Sequence, residues 1–428
     1  MSKYNITERI FASVNERVLE FDHESGLHVC IIPKKGFNKK YGVLTTDFGG
    51  FNTKYSVNGK IFTVPDGTAH FLEHKLYEQP DGDVMNKFAA LGAECNAATG
   101  YEGTIYYFEC IDNFKECTEL LLKHVFHPYF TKENVEKEKG IIVQEINMYL
   151  DNPYYVASRE LVKLLYKNHP IINDIAGTEE SVMSVTPDIL YDCHKTFYRP
   201  SNMCLSLVGD FDMEEVFAVL EKADLPAASN DIVSKIFPDE PNENAGSRNV
   251  CKMETAMPIF YFGFKDDNKK YTGKERIKRN LAGAICSETI FGSSSPLYEK
   301  LYDEGYINYA FYSAYEIERD YALFELGGMA ENPQKIEEYI KEELSNLART
   351  GINKEDFTRV KNAIHGQRMR SFDSLSHLGR TFGHYYLQGM DGFDYFNACG
   401  TIQEDDINDM IKGLLNKEMA VSIVEGVD

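Results

Sequence analysis

The alternation of apolar and polar positions divides the chain into two mixed stretches joined by a polar one. Val18 to Phe21 and Leu27 to Ile32 flank the turn-forming Asp22-His23-Glu24-Ser25-Gly26, which predicts a β-hairpin. Further strands are expected near Tyr41 to Asp47, over Thr104 to Cys110, where β-branched and aromatic residues dominate, and over Leu205 to Val208. Between them the period becomes helical. Glu119 to Phe126 and Lys132 to Leu150 carry that spacing, the second interrupted only by Gly140, and more helix follows to about Leu165. Asp66-Gly67-Thr68 supplies helix-start chemistry, so a helix is expected just beyond a loop there.

From Ala223 to Arg248 the chain turns rich in Pro, Asn, Ser, Asp and Gly and cannot bury much apolar surface. Residues 225–247 are therefore read as a linker between a domain over 1–224 and a second over 248–428. Beyond the linker the order repeats: strands near Ile259 to Phe264 and Ala322 to Leu326, helices near Glu275 to Ile290, Pro333 to Leu347 and Asn353 to Arg370. Sliding the halves over each other without gaps sets Phe88-Ala89-Ala90-Leu91-Gly92 on Leu301-Tyr302-Asp303-Glu304-Gly305. The expected class is α+β, built as two related α/β domains.

Composition narrows the function. At 428 residues with 43% hydrophobic content the chain can bury large cores. Its net charge of -22 argues against nucleic acid and against an anionic membrane, because phosphate binding draws on clustered Lys and Arg. The same charge suits cationic peptides. No apolar run reaches membrane-spanning length, Met1 to Phe11 has no signal-like core, and nine scattered cysteines without a Cys-x-x-Cys pair read as reduced thiols, so a cytoplasmic location is expected.

The candidate chemistry lies in His70-Phe71-Leu72-Glu73-His74. On a helix, residues four apart share a face, so His70 and His74 can direct nitrogens at one zinc ion, with Glu73 beside them as general base. A third ligand is expected on another element. Lys132 to Leu150 offers Glu133, Glu136, Glu138 and Glu145; Glu138 and Glu145 lie two turns apart on one side, and Glu145 sits in an apolar run where a bare carboxylate is costly unless a metal takes it. The ungapped register sets His70, Glu73 and His74 against Gly283, Cys286 and Ser287, and a gapped one sets Glu138 and Glu145 against Val360 and Gln367, so the metal chemistry belongs to the first half.

These residues resemble the pitrilysin or insulinase family of inverted-motif zinc peptidases, which includes mitochondrial processing peptidase. The likeness extends to Asn96-Ala97 followed by Thr99 and to Phe197-Tyr198-Arg199-Pro200-Ser201-Asn202-Met203 with Val208-Gly209-Asp210, and it covers nearly the whole chain. The resemblance implies one Zn²⁺ per chain held by His70, His74 and Glu145, with Glu73 as general base and Glu138 orienting a ligand. It implies ferredoxin-like domains forming half of a peptidase chamber, and a peptide bound along a sheet edge bearing Asn96 and Ala97. Complete members also carry an Arg and a Tyr seven residues apart opposite the zinc; this chain has Tyr302 and Tyr309 there. The missing arginine implies a heterodimer with a related chain that lacks the zinc motif, the alternative being a homodimer. A non-catalytic scaffold subunit of the same family is the rival reading.

Overall fold

A computed structural model describes residues 4–12, 14–267 and 271–427. They form two compact units. The first comprises the chain up to Ile146, Asn173–Phe237 and Arg370–Gly392; the second comprises Asn147–Ile172, Pro238–Met369 and the chain from Phe393.

The first unit is built on a seven-stranded sheet in the order Thr7–Phe11, Glu16–Asp22, His28–Pro33, Met203–Gly209, Lys40–Thr46, Thr104–Cys110, Glu94–Thr99. The expected hairpin is present, with Leu19 opposite Ile31. Met203–Gly209 runs parallel to His28–Pro33 and antiparallel to Lys40–Thr46. Met203–Gly209 is buried throughout, as a continuous apolar run demands of a strand covered on both faces. Glu94–Thr99 instead alternates exposed and half-buried residues, and it pairs only with Thr104–Cys110, which makes it the sheet's edge.

The second unit's five-stranded sheet runs Arg248–Met253, Ala420–Gly426, Ile259–Lys265, Ala322–Met329, Tyr312–Ile317. Its one parallel pair, Arg248–Met253 with Ala420–Gly426, occupies the same place as the parallel pair of the first sheet. The last five strands of the first sheet and these five thus share order and sense, as a duplication requires.

The sequence halves do not coincide with the units. Helix Pro153–Leu165, from the first half, packs on the second unit's sheet, where Gly263 leaves room for Leu161 and Leu165. Helix Leu375–Leu387, from the second half, packs on the first unit's sheet, with Gly379 against Tyr41 and Val43. Periodicity registers that these helices have an apolar face but not which sheet receives it.

The polar connector is also more ordered than its composition suggests. Val233–Lys235 adds antiparallel to Lys54–Val57 of a small sheet in the first unit. In the second unit, the Glu240 carboxylate accepts backbone N–H groups of Lys167, Asn168 and His169 at 3.0, 2.6 and 2.8 Å and pairs with the buried Lys265 ammonium. Burial raises the Glu240 pKa, but Lys265 and these three donors outweigh it and hold the group below its ordinary value.

Candidate metal centre

Helix Thr68–Leu76 carries the two histidines. Its start is set by backbone geometry: Gly67 has φ 84°, and a Cβ there would lie 2.4 Å from the Ala176 carbonyl oxygen, so only glycine fits. No side chain caps the helix; the Thr68 hydroxyl donates to the Pro65 carbonyl, and Asp66 accepts from the Asn173 amide. Phe71, Leu72 and Leu76 anchor the helix in the first unit's core, which leaves the His70 and His74 rings 4.5 Å apart on its other side.

Helix Lys132–Leu150, continuous through Gly140, presents its apolar stripe of Val135, Ile142 and Ile146 to that core. Glu138 and Glu145 flank this stripe and face the histidines. His70 Nε2 lies 3.7 Å from Glu145 Oε1, and His74 Nε2 lies 3.5 Å from Glu145 Oε2. Ligand atoms of the three residues all fall within 4.8 Å of one another. Tetrahedral zinc donors at about 2.1 Å from the ion stand roughly 3.4 Å apart, so two imidazoles and one carboxylate at these separations fit a catalytic zinc with an open position.

The surrounding groups prepare each donor. Burial and the neighbouring His74 push the His70 pKa down to about 4, so its imidazole is neutral, as a ligand must be. The His74 Nδ1 stands 3.0 Å from Glu138 Oε1, which selects the tautomer with the proton on Nδ1 and the lone pair on Nε2. Burial lowers the His74 pKa, but Glu138, Glu73 and Glu145 outweigh it and the net shift is upward. Glu73 is buried, and its Oε2 accepts the Thr99 hydroxyl at 2.6 Å. Burial raises its pKa, opposed in part by Thr99 and His74.

Asn96 and Ala97 lie on the edge strand that also carries Thr99. The Asn96 side-chain oxygen accepts the Ala97 N–H at 2.8 Å, so that donor is turned to the open edge instead of the ladder. In the second unit the register counterpart of His70, Gly283, is covered: a Cβ there would lie 2.0 Å from the Tyr315 ring, whose hydroxyl donates to Asp266 at 2.6 Å. Arg279 pairs with the same Asp266 carboxylate, and Ser287 donates to Ser313. Ring packing, the Arg279–Asp266 ion pair and a hydroxyl contact occupy the corresponding positions there.

Comparison with known proteins gives the family. The insulinase (peptidase family M16) model matches residues 63–179, and the model described as the peptidase M16 inactive domain matches residues 184–364. A Bacillus subtilis relative described as an uncharacterized zinc protease, YmfH, is 36% identical over 408 residues, covering 94% of this chain and 95% of its own length. The chain belongs to the M16 (insulinase) peptidase family. This M16 chain also superposes on a crystal structure described as a putative M16-like peptidase from Alicyclobacillus acidocaldarius, with TM-score 0.92, 32% identity and 99% of each chain covered. A probable mitochondrial-processing peptidase subunit beta from Arabidopsis thaliana is 24% identical over 234 residues, covering 53% of this chain and 43% of that one.

Two residues of this M16 site escape the pattern read from the sequence. Thr99 is named from the sequence only as part of the family-like segment after Asn96-Ala97, without a role, because a hydrogen bond across 26 positions leaves no periodic trace. Lys75 does leave one: it falls three residues after Leu72 and one before Leu76, at a position the helical period assigns to the core. Among the described residues no helix is long and apolar enough to cross a membrane.

Proposed function

We propose that the chain is a zinc metalloendopeptidase acting on short or unfolded peptides, with His70, His74 and Glu145 as metal ligands and Glu73 as general base. The observation that carries this reading is the convergence of those three donors with a buried carboxylate one residue from His74. Zinc, when bound, would lower the pKa of a water molecule to about 7 and polarise the scissile carbonyl. Glu73 accepts the proton released in the attack and delivers it to the departing amine nitrogen. Thr99 holds the Glu73 carboxylate on one side while this happens, and Glu138 holds His74. The substrate backbone adds to the edge strand Glu94–Thr99, where Ala97 offers a free donor once the Asn96 amide swings away.

The same reading places the enzyme in the cytoplasm as the metal-bearing half of a heterodimer. Tyr302 and Tyr309 are 52% and 90% exposed on the second unit, and the partner supplies the missing arginine. Glu73→Gln is the deciding variant: it keeps one zinc per chain by elemental analysis and loses peptide hydrolysis. Normal cleavage by that variant removes the base assignment, and an intact zinc site without turnover in the wild type, alone or with a related subunit, favours the scaffold reading. Strong proteolysis by a pure homodimer on size exclusion excludes the two-chain arrangement.

A further inference from the structure

Lys75 is fully buried, with 0% of its surface exposed, in the same helical turn as His74. A lysine at such a depth is rare because removing an ammonium from water costs several kcal/mol unless it is paired. Its Nζ meets two carboxylates: it pairs with Glu78 and stands 3.4 Å from Glu138 Oε2. The other oxygen of Glu138 is the one that faces His74 Nδ1 at 3.0 Å. Lys75, Glu138 and His74 therefore form a chain in which one carboxylate is gripped from both sides.

We propose that Lys75 is a positioning residue for the metal centre, acting through Glu138. Three carboxylates, Glu73, Glu138 and Glu145, act on His74, and of these Glu145 groups with both histidines at ligand spacing. The Lys75 ammonium holds Glu138 by Oε2, which keeps Oε1 on His74 and keeps Glu138 out of the metal's coordination sphere. Glu145 is left as the carboxylate ligand, and His74 Nε2 keeps its aim toward Glu145. Were Lys75 present only to fill the core, methionine would do so without the desolvation cost, and replacing a buried ion pair by an apolar side chain is often neutral or stabilising.

The inference rests on the zinc reading above, and the test separates the two. Zinc affinity of the full-length wild type is measured first by chelator competition; absence of binding there removes the zinc reading itself. Lys75→Met is then compared with wild type, with Glu138→Gln and with the double variant. Partners that orient metal-binding histidines typically matter by about 10- to 100-fold in affinity, so Lys75→Met weakens zinc binding by about 10-fold. In the Glu138→Gln background the same change has no further effect on zinc affinity, because the Glu138 carboxylate through which Lys75 acts on His74 is gone, although Lys75 keeps its pair with Glu78. The visible spectrum of the cobalt-substituted protein shifts in Lys75→Met, reporting an altered ligand set. Lys75→Gln, which keeps a donor and drops the charge, gives the same reading if the methionine variant does not fold. Unchanged affinity and an unchanged cobalt spectrum in a folded Lys75→Met or Lys75→Gln protein overturn the proposal, as does an equal loss with and without Glu138→Gln.

Discussion

Replacing Thr99 by valine exchanges one hydroxyl for a methyl of nearly the same size, so it removes the hydrogen bond to Glu73 and the longer 3.4 Å contact from the Thr104 hydroxyl while keeping the packing of the edge strand. The contact is short, 2.6 Å, and its acceptor is a buried carboxylate. Hydrogen bonds to charged groups contribute about 1.5–3 kcal/mol, and the proton transfers proposed for Glu73 depend on that carboxylate being held in place. At about 1.4 kcal/mol per factor of ten, Thr99→Val lowers kcat by about 10- to 100-fold. KM changes little, because the edge-strand backbone proposed to receive the peptide is unaltered, and zinc content stays at the wild-type level because the Thr99 hydroxyl donates to Glu73, which is not one of the proposed ligands. Steady-state hydrolysis of a fluorogenic peptide with the physiological assembly, together with elemental analysis, measures all three quantities. Thr99→Ser restores the hydroxyl and with it kcat. A fully zinc-loaded Thr99→Val enzyme with wild-type kcat shows that Glu73 needs no such support, and a serine variant as slow as the valine one shows that the methyl group, not the hydroxyl, matters.

Glu145→Ala removes one of the three proposed ligands and lowers zinc affinity, read by chelator competition; zinc content equal to wild type under the same chelator takes Glu145 out of the ligand set. Gly283→Ala drives a Cβ into the Tyr315 ring and destabilises the second unit by about 1–3 kcal/mol, seen as a lower Tm, and a Tm equal to wild type shows that the ring has room to shift. Glu240→Gln leaves Lys265 buried without its counter-charge and costs about 3 kcal/mol at neutral pH. Because the folded Glu240 pKa lies below its ordinary value, this stabilisation is complete above roughly pH 4.5 and fades as pH falls through the folded value. The Tm difference between wild type and Glu240→Gln therefore shrinks on acidification; a difference that grows toward acid contradicts the assignment.

Much of this site is legible in the sequence because its spacing obeys single elements. His70 and His74 are four apart on one helix, and Glu138 and Glu145 are seven apart on another, so each pair follows from periodicity. That the two helices meet face to face is tertiary, and only the apolar surroundings of Glu145 hint at it. The strand Thr104–Cys110 is predicted at its observed bounds because its aromatic and β-branched run is strong, whereas Glu94–Thr99 is half-polar and contains Ala97 and Ala98, so propensity alone does not mark it as a strand. Lys75 inverts the usual logic: its charge argues for the surface while its position argues for the core, and the position prevails because Glu138 and Glu78 wait there. The connector is legible in composition but not in contacts, since Glu240 is held by backbone donors some seventy residues away.

The reciprocal placement of helices Pro153–Leu165 and Leu375–Leu387 bears on ancestry and on engineering. A gene divided within residues 225–247 encodes two products, each lacking the helix that covers its own sheet and each carrying an orphan helix with an apolar face. Such fragments aggregate apart and complement each other when co-expressed. An ancestral dimer that had swapped this helix between identical subunits, then fused end to end, leaves the same signature. In that history the second copy, already committed to covering its sister's sheet, was free to lose its ligands without being free to leave.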